Sequence, residues 1–505
     1  MTSLKKNIIY NFCGQLLILI LGFVAVKFIF KQLGADALGI IYFTLSINML
    51  LSSVLQMGIC TTTVREISGH FETEPDYIKE MIRTFSLFFW IVYILFAIAI
   101  FLLAPFLVEK WIHLRTMNTT TAIHMMRVLG ISSLLAFPKS FYASLFRGLQ
   151  RMEFNNFIDV FISALQQIGS IFILFFGGNL FFVVYWISGC FILSILIYLY
   201  FSTHFFSLIA LIPGYFSRAV KRNLLFTIKM SAVTIFAGIH IQADKIIISK
   251  LLPIGLLGYY GFAYASVSKS GLLTGSIAQA AFPLFSTKFK KGDKKGLLNH
   301  YMMLQDLLCF AVVPIFAAIP FALMPIFSYI FTNDIARLLL LPTTLLSIGF
   351  YMNGTLTIPY VYSIAVGKPG ISARLNFYAL FIVLPVTILL IYFFGLIGAG
   401  LSWVFYNLFA YSYAIPRMCS ECLGIPTWKW YKHILRIAIL ASSTYGVAWI
   451  INSFIGSYSI IPLSIAYIIA SIVYLIGSYY MIGDDLRKEL SSLFQKLKAR
   501  IVGYK

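Results

Sequence analysis

Ten ionisable side chains fall inside stretches otherwise apolar enough to lie in a membrane. They are Lys27, Arg127, Lys139, Lys229, Lys245, Lys269, Asp159, Asp244, Asp306 and His240. A charged group at the centre of a spanning helix costs about 2.5–3.5 kcal/mol on insertion scales, so each needs a reason. Cations outnumber carboxylates six to three. Fixed cations in a low-dielectric space would replace water around an anion, which is chemistry of binding and passage. Lys139, Lys245 and Lys269 are the hardest to explain away. Lys139 stands about two turns from either end of its span and follows Pro138, which frees a backbone carbonyl. Lys269 comes near the middle of its span, after Tyr259, Tyr260 and Tyr264. Lys27 and Arg127 lie near one end of their spans and Lys229 near the other, where long side chains can snorkel. Asp159 and Asp306 lie where they can cap helices or pair with loop cations.

Asp244 and His240 are four residues apart and both titrate, which makes them candidates for coupling to a proton or sodium ion. Ser231, Thr234, Gly238, Gln242, Lys245 and Ser249 follow at steps of 3, 4, 4, 3 and 4. Those steps put them on one helical face, expected to border a cavity. Asn11, Gly14 and Gln15 offer a matching polar face on the first span. A competing reading has Asp244 and Lys245 neutralise charges on neighbouring helices and hold the bundle together. No paired carboxylates, Ser-His-Asp set, metal cluster or phosphate-binding loop is legible, so no catalytic residue, metal or cofactor is expected. Cys419-Ser-Glu-Cys422 has no second pair and reads as ordinary loop cysteines.

These side chains must be positioned by membrane helices. The 505 residues are 60% hydrophobic and 11% charged, against about 45–50% and about 25% in soluble domains. Mean hydropathy is +0.91. That excludes a soluble enzyme, a disordered chain and a disulfide scaffold. Apolar stretches of about 20 residues give about 14 candidate spans. The fold expected is all-α and integral to the membrane. The run after Lys5 and Lys6 reads as the first of these helices, not as a cleaved signal. The net charge of +21 has a topological source. Alternate loops carry about 27 Lys and Arg on one side and about 5 on the other, which places both termini in the cytoplasm. On a soluble protein such a charge would suggest nucleic acid; here none is expected.

The chain also repeats itself. Val26–Leu33 running into Leu38-Gly39 resembles Asp244–Leu251 running into Leu257-Gly258, about 218–219 residues on. Gly148 matches Gly367, and Phe175-Phe176-Gly177 matches Phe393-Phe394-Gly395. A six-span unit restores orientation, so the two lobes are parallel copies facing a central cavity, followed by two extra C-terminal helices. The expected division is residues 1–203, a linker at 204–222, residues 223–418, and residues 419–505 with a basic tail.

Several motifs resemble the MOP superfamily and, within it, the Wzx-type flippases of the polysaccharide-transporter branch. They are Lys31-Gln32-Leu33-Gly34 before Leu38-Gly39, the segment Gly58 to Arg65-Glu66, and Arg147-Gly148-Leu149-Gln150-Arg151 before Asn155-Asn156. Gln242-Ala243-Asp244-Lys245-Ile246 and Phe282-Pro283-Leu284-Phe285-Ser286 complete the set. The resemblance implies an inner-membrane flippase moving undecaprenyl-pyrophosphate-linked O-antigen or related repeat units to the periplasmic leaflet by alternating access. It also implies work beside a polysaccharide polymerase and a chain-length regulator. Lys139, Lys245, Lys269, Lys27, Arg127 and Lys229 would then form a cationic lumen. The alternatives are a lipid II flippase, a multidrug exporter of the same superfamily, and a polytopic polymerase or glycosyltransferase. The longest outer connection, roughly Glu109 to Ala122, is short for the loop such an enzyme would need.

Overall fold

With no water available, backbone N–H and C=O groups in a spanning segment must pair within the segment, so apolar runs of this length become helices. The computed structural model describes residues 2–455, 459–484, 486–488 and 491. Within it, the side chains at 2–13, 15–16, 53–57, 226, 229–234, 237 and 272 lie outside the described set. The described residues are helical almost throughout. Packing divides them into two compact units, Met1–Phe262 and Ala263–Lys505.

The first unit holds α1 (Thr2–His70), α2 (Pro75–Phe106), α3 (Thr119–Ser133), α4 (Ala136–Gly148), α5 (Met152–Phe175) and α6 (Leu180–Ser202). A short α7 (Leu208–Leu211), α8 (Ser217–Leu251) and the start of α9 (Ile254–Lys269) complete it. The second unit holds the end of α9, then α10 (Leu272–Lys290), α11 (Lys294–Ile330), α12 (Asn333–Thr355) and α13 (Thr357–Ala365). It continues with α14 (Gly370–Met418), α15 (Thr427–Ala441), α16 (Val447–Ile455) and α17 (Ile460–Met481). Ten helical stretches among the described residues are long and apolar enough to cross a membrane. Two of them, in α1 and α14, contain a pair of expected spans joined at Gly34 (φ 84°) and Gly395 (φ 56°). With α8 and the α9–α10 pair, the expected set of crossings is accounted for.

Three spans expected to be continuous are broken. α3 gives way to α4 at Leu134-Leu135, just before Pro138, and α12 to α13 at Leu356, just before Pro359. α9 gives way to α10 at Ser270-Gly271. Proline lacks the N–H that would continue the ladder and crowds the preceding turn. The α4 and α13 breaks fall at repeat-related places. The repeat also shows in backbone conformation. Gly177 (φ 76°) and Gly395 (φ 56°) are both left-handed, as their sequence match expects. One match needs correction: the left-handed partner of Gly367 (φ 81°) is Gln150 (φ 59°), not Gly148. The two helix ends carry the same closing bond, Arg151 N to Phe146 O and Lys368 N to Ser363 O, each 2.8 Å. Gly148 is needed for closeness instead, since a Cβ there would sit 2.7 Å from Ile67.

Prolines inside the spanning helices each strip a carbonyl of its usual donor four residues back. Neighbouring helices supply side chains in their place. Pro320 frees Phe316 O, which accepts from Ser347 Oγ at 2.7 Å. Pro314 frees Phe310 O, which accepts from Tyr474 OH at 3.0 Å and so seats α17 on α11. Pro359 frees Thr355 O, which accepts from the buried Gln305 Nε2 at 3.0 Å. Pro105 frees Phe101 O, which accepts from Arg127 Nε at 3.0 Å.

Gln305→Leu keeps the volume and removes the donor, leaving Thr355 O orphaned in an apolar interior. The expected loss is about 1–3 kcal/mol, read as a lower Tm of the purified protein in detergent. An unchanged Tm would show that the freed carbonyl finds another partner.

Candidate functional site

Three polar clusters are built into the first unit. The deepest lies where α8 meets α9. Asp244 and Lys245 are both buried. Asp244 Oδ1 accepts from Lys245 N (2.8 Å) and Lys245 Nζ (3.0 Å), and Oδ2 accepts from Tyr260 OH at 2.6 Å. Lys245 Nζ also donates to Ile241 O at 2.9 Å. Gln242 is buried with its amide against Met49 Sδ at 3.7 Å, and Ser249 accepts from Trp111 Nε1 at 3.0 Å. His240 stands one turn before Asp244 and is half-buried. The described part of the α8 polar face is thus packed against neighbouring helices. The close approach is set by glycines. Gly255, Gly258 and Gly261 of α9 abut Ala35, Leu38-Gly39 and Tyr42 of α1, and a methyl group on Gly39 would overlap the carbonyl oxygen of Ile254. The repeat-related Leu38-Gly39 and Leu257-Gly258 therefore touch each other.

The second cluster joins α4, α5 and α6. Lys139 Nζ lies 2.7 Å from Asp159 Oδ1, which also accepts from Tyr198 OH at 3.3 Å. Lys139 was expected as a lumen cation; the structure gives it a carboxylate partner one helix away, and both side chains stay partly exposed. Arg127 departs further from expectation. Its guanidinium stacks 4.3 Å over the Phe101 ring while bonding Phe101 O, so it completes a proline kink.

The third cluster sits at the end of the unit that carries its basic loops, where α1 ends and α2 and α8 begin. Glu66, buried, meets Arg65, His70 Nδ1 (3.5 Å), Arg222 Nε (3.6 Å) and Tyr77 OH (3.1 Å). Asn223 Nδ2 donates to Tyr77 OH at 2.7 Å, and Arg222 stacks 4.0 Å over the Tyr77 ring. Glu74 takes Arg222 in a two-pronged pair at 2.7 and 3.0 Å, with Arg218 at 3.5 Å. The Arg222 hydrogen bond and charge hold the Glu74 carboxyl below the usual carboxylate range. Of this cluster the sequence marks only the Arg65-Glu66 dipeptide, as part of a motif. Glu74, Tyr77, Arg222 and Asn223 looked like ordinary loop residues because their partners are some 150 positions away.

In the second unit, Asp306 on α11 meets His433 Nε2 of α15 at 3.4 Å and accepts from Gly483 N at 2.9 Å. Lys269 ends α9 at the break before α10, half-buried, where the helix dipole favours a cation. Lys27 of α1 is half-buried. The side chains of Asn11, Gln15, Lys229, Ser231 and Thr234 lie outside the described residues. No group of three or more His, Cys, Asp or Glu among the described residues is placed to hold a metal ion.

Ten helical stretches long and apolar enough to cross a membrane, with buried, internally paired charges, define a multi-span helical membrane protein. Solved structures agree on the fold. A lipid II flippase, MurJ, in an inward closed conformation aligns at TM-score 0.73 with 15% identity, covering 94% of this chain and 98% of that one. An inward-facing multidrug resistance MATE family transporter aligns at 0.66 with 14% identity over 80% and 95%. A putative O-antigen transporter of Shigella flexneri is 21% identical over 424 residues, 83% of this chain and 99% of its own length. The polysaccharide biosynthesis protein family matches residues 4–289, and the chain belongs to that family. Its relatives are transporters and a flippase, which sets aside the polymerase and glycosyltransferase alternative: the chain is not an enzyme.

Two outcomes follow from the pairing. Asp244→Asn leaves Lys245 buried beside a neutral group, an expected loss of about 3–5 kcal/mol. Asp244→Asn with Lys245→Met should recover most of it, read as Tm and membrane yield. Equal Tm in both variants would remove the pair from the bundle's support. Because the folded Glu74 carboxyl titrates below its unfolded range, its contribution is full above that range and is lost as pH falls through the folded value. Between about pH 6 and about pH 3, the wild-type Tm should fall more steeply than that of Glu74→Gln. Parallel profiles would exclude the ion pair as a support.

Proposed function

We propose that this chain is a flippase for polysaccharide precursors. It moves an undecaprenyl-pyrophosphate-linked oligosaccharide from the cytoplasmic to the periplasmic leaflet of the inner membrane by alternating access, with both termini cytoplasmic. Membership of the family and the likeness to an O-antigen transporter support the polysaccharide part. The observation that carries the diphosphate part is the charge balance within the spans. Within the spans six lysines and arginines stand against three carboxylates by sequence. That excess suits an anionic headgroup and disfavours the cationic cargo of a drug exporter. In this reading Lys269 binds the headgroup directly, while Lys139 and Lys245 are held by carboxylate partners and support the bundle. Asp244, bonded through both oxygens, serves the bundle and not a coupling ion. Transport by the Asp244→Asn, Lys245→Met double variant would support that assignment, and its loss at normal Tm would reinstate ion coupling.

A lipid II flippase is the second reading, favoured by the fold's 0.73 match over nearly the whole chain. The two share the prenyl diphosphate handle and differ in the sugar.

Lys269→Glu, at wild-type membrane levels, is expected to lower surface polysaccharide at least about tenfold, with Lys269→Arg retaining most of it. Normal polysaccharide in Lys269→Glu would overturn the cationic path. Rescue of a strain depleted of its lipid II flippase, with no effect on surface polysaccharide, would establish the second reading.

A further inference from the structure

A cleft of about 550 Å³ opens between α2 and α8, backed by Ile59 of α1. Its walls are apolar: Phe85, Phe88 and Ile91 on α2, Leu224 and Ile228 on α8. Phe88, Ile91, Leu224 and Ile228 are all exposed. The cleft therefore opens sideways, toward the hydrocarbon that surrounds these helices. Its few polar groups are already engaged. Thr84 Oγ1 accepts from Phe216 N, Thr227 bonds Thr62, and Asn223 bonds Tyr77. They do not call for a polar occupant.

The mouth at the basic end is different. Tyr215, exposed, lines it. Arg83 stands beside it, donating to Ile212 O at 3.1 Å with its guanidinium 5.1 Å from the Phe216 ring. Lys221 is exposed. It lies three and seven residues before Leu224 and Ile228, on the same face of α8. Arg83, Leu87 and Ile91 follow at steps of four along α2, one face again. Each wall thus ends in a cation aligned with its own apolar stripe. Arg218 and Arg222, one turn away, are answered by Glu74 and Glu66. Neither Arg83 nor Lys221 has a carboxylate within 4.0 Å among the described residues. Two uncompensated cations above an apolar slot complement one phosphate on a hydrocarbon tail.

We propose that the α2–α8 cleft binds an anionic phospholipid of the leaflet next to the basic loops. Its phosphate lies between Arg83 and Lys221, and one acyl chain lies between the two helices. The apolar walls suit an acyl chain. The occupant wedges α8 against α2 directly beside the Glu66–Arg222 cluster. It is independent of which headgroup the protein transports.

The test uses the full-length protein, delipidated in detergent and titrated with phosphatidylglycerol or phosphatidylcholine of matched chains, with bound lipid counted by native mass spectrometry. Wild type should retain phosphatidylglycerol about tenfold better than phosphatidylcholine. Lys221 is exposed and makes no ion pair among the described residues, so Lys221→Glu should erase that preference; Arg83→Gln should weaken it. Ile228→Trp fills the slot and should release the tightest-bound lipid while Tm holds. Equal retention of both lipids by wild type would overturn the site. So would an undiminished preference in Lys221→Glu, or displacement of the lipid by undecaprenyl phosphate at equal concentration.

Discussion

The structure rests on one requirement: no backbone polar group may be left unpaired where water is absent. The spanning helices contain many prolines, and each frees a carbonyl. Arg127, Gln305, Ser347 and Tyr474 each reach from one helix to a freed carbonyl on another. The bonds that repair the kinks are thereby also the bonds that order the bundle. Breaking one costs twice, in an orphaned carbonyl and in a lost helix contact. It also explains how the last helices attach to the second unit. Tyr474 meets Phe310 O and Tyr467 meets Pro314 O, four residues apart on the kinked α11.

The same economy governs charge. A lone carboxylate in the bundle would be prohibitive, and Asp159, Asp244 and Asp306 each have a partner within reach. Pairing makes these groups part of the framework. It leaves the six-to-three excess of cations within the spans, which gives the transport reading its sign, unchanged.

Much of the architecture was legible in the sequence. Hydropathy gave the spans, loop charge gave the expected orientation, and the doubled Leu-Gly dipeptides marked the repeat. What stayed hidden depends on which helices become neighbours. Lys139 and Asp159 are 20 residues apart, and Arg222 and Glu66 are 156 apart, spacings with no local signature. Arg127 shows the limit of local inference. Its partner is a carbonyl freed by Pro105 on α2, which no pattern around residue 127 could announce. The broken spans were half legible: Pro138 and Pro359 were visible, and only the structure shows the helices parting just before them.

α8 brings these arguments together. By sequence it opens the second copy of the repeat; by packing it belongs with the first unit. One end is held by Ser249 on Trp111, and the adjoining turn of α9 by glycine contacts with α1. The other end is held by ion pairs from Arg218 and Arg222 to Glu66 and Glu74. The glycine contacts need close backbone approach and yield little when strained. The ion pairs are partly exposed, screened by salt and weak singly. A helix tied firmly at one end and loosely at the other pivots about the firm end. Any rearrangement of α8 within this unit should therefore begin at the arginines, leaving Gly39 and Gly258 in contact.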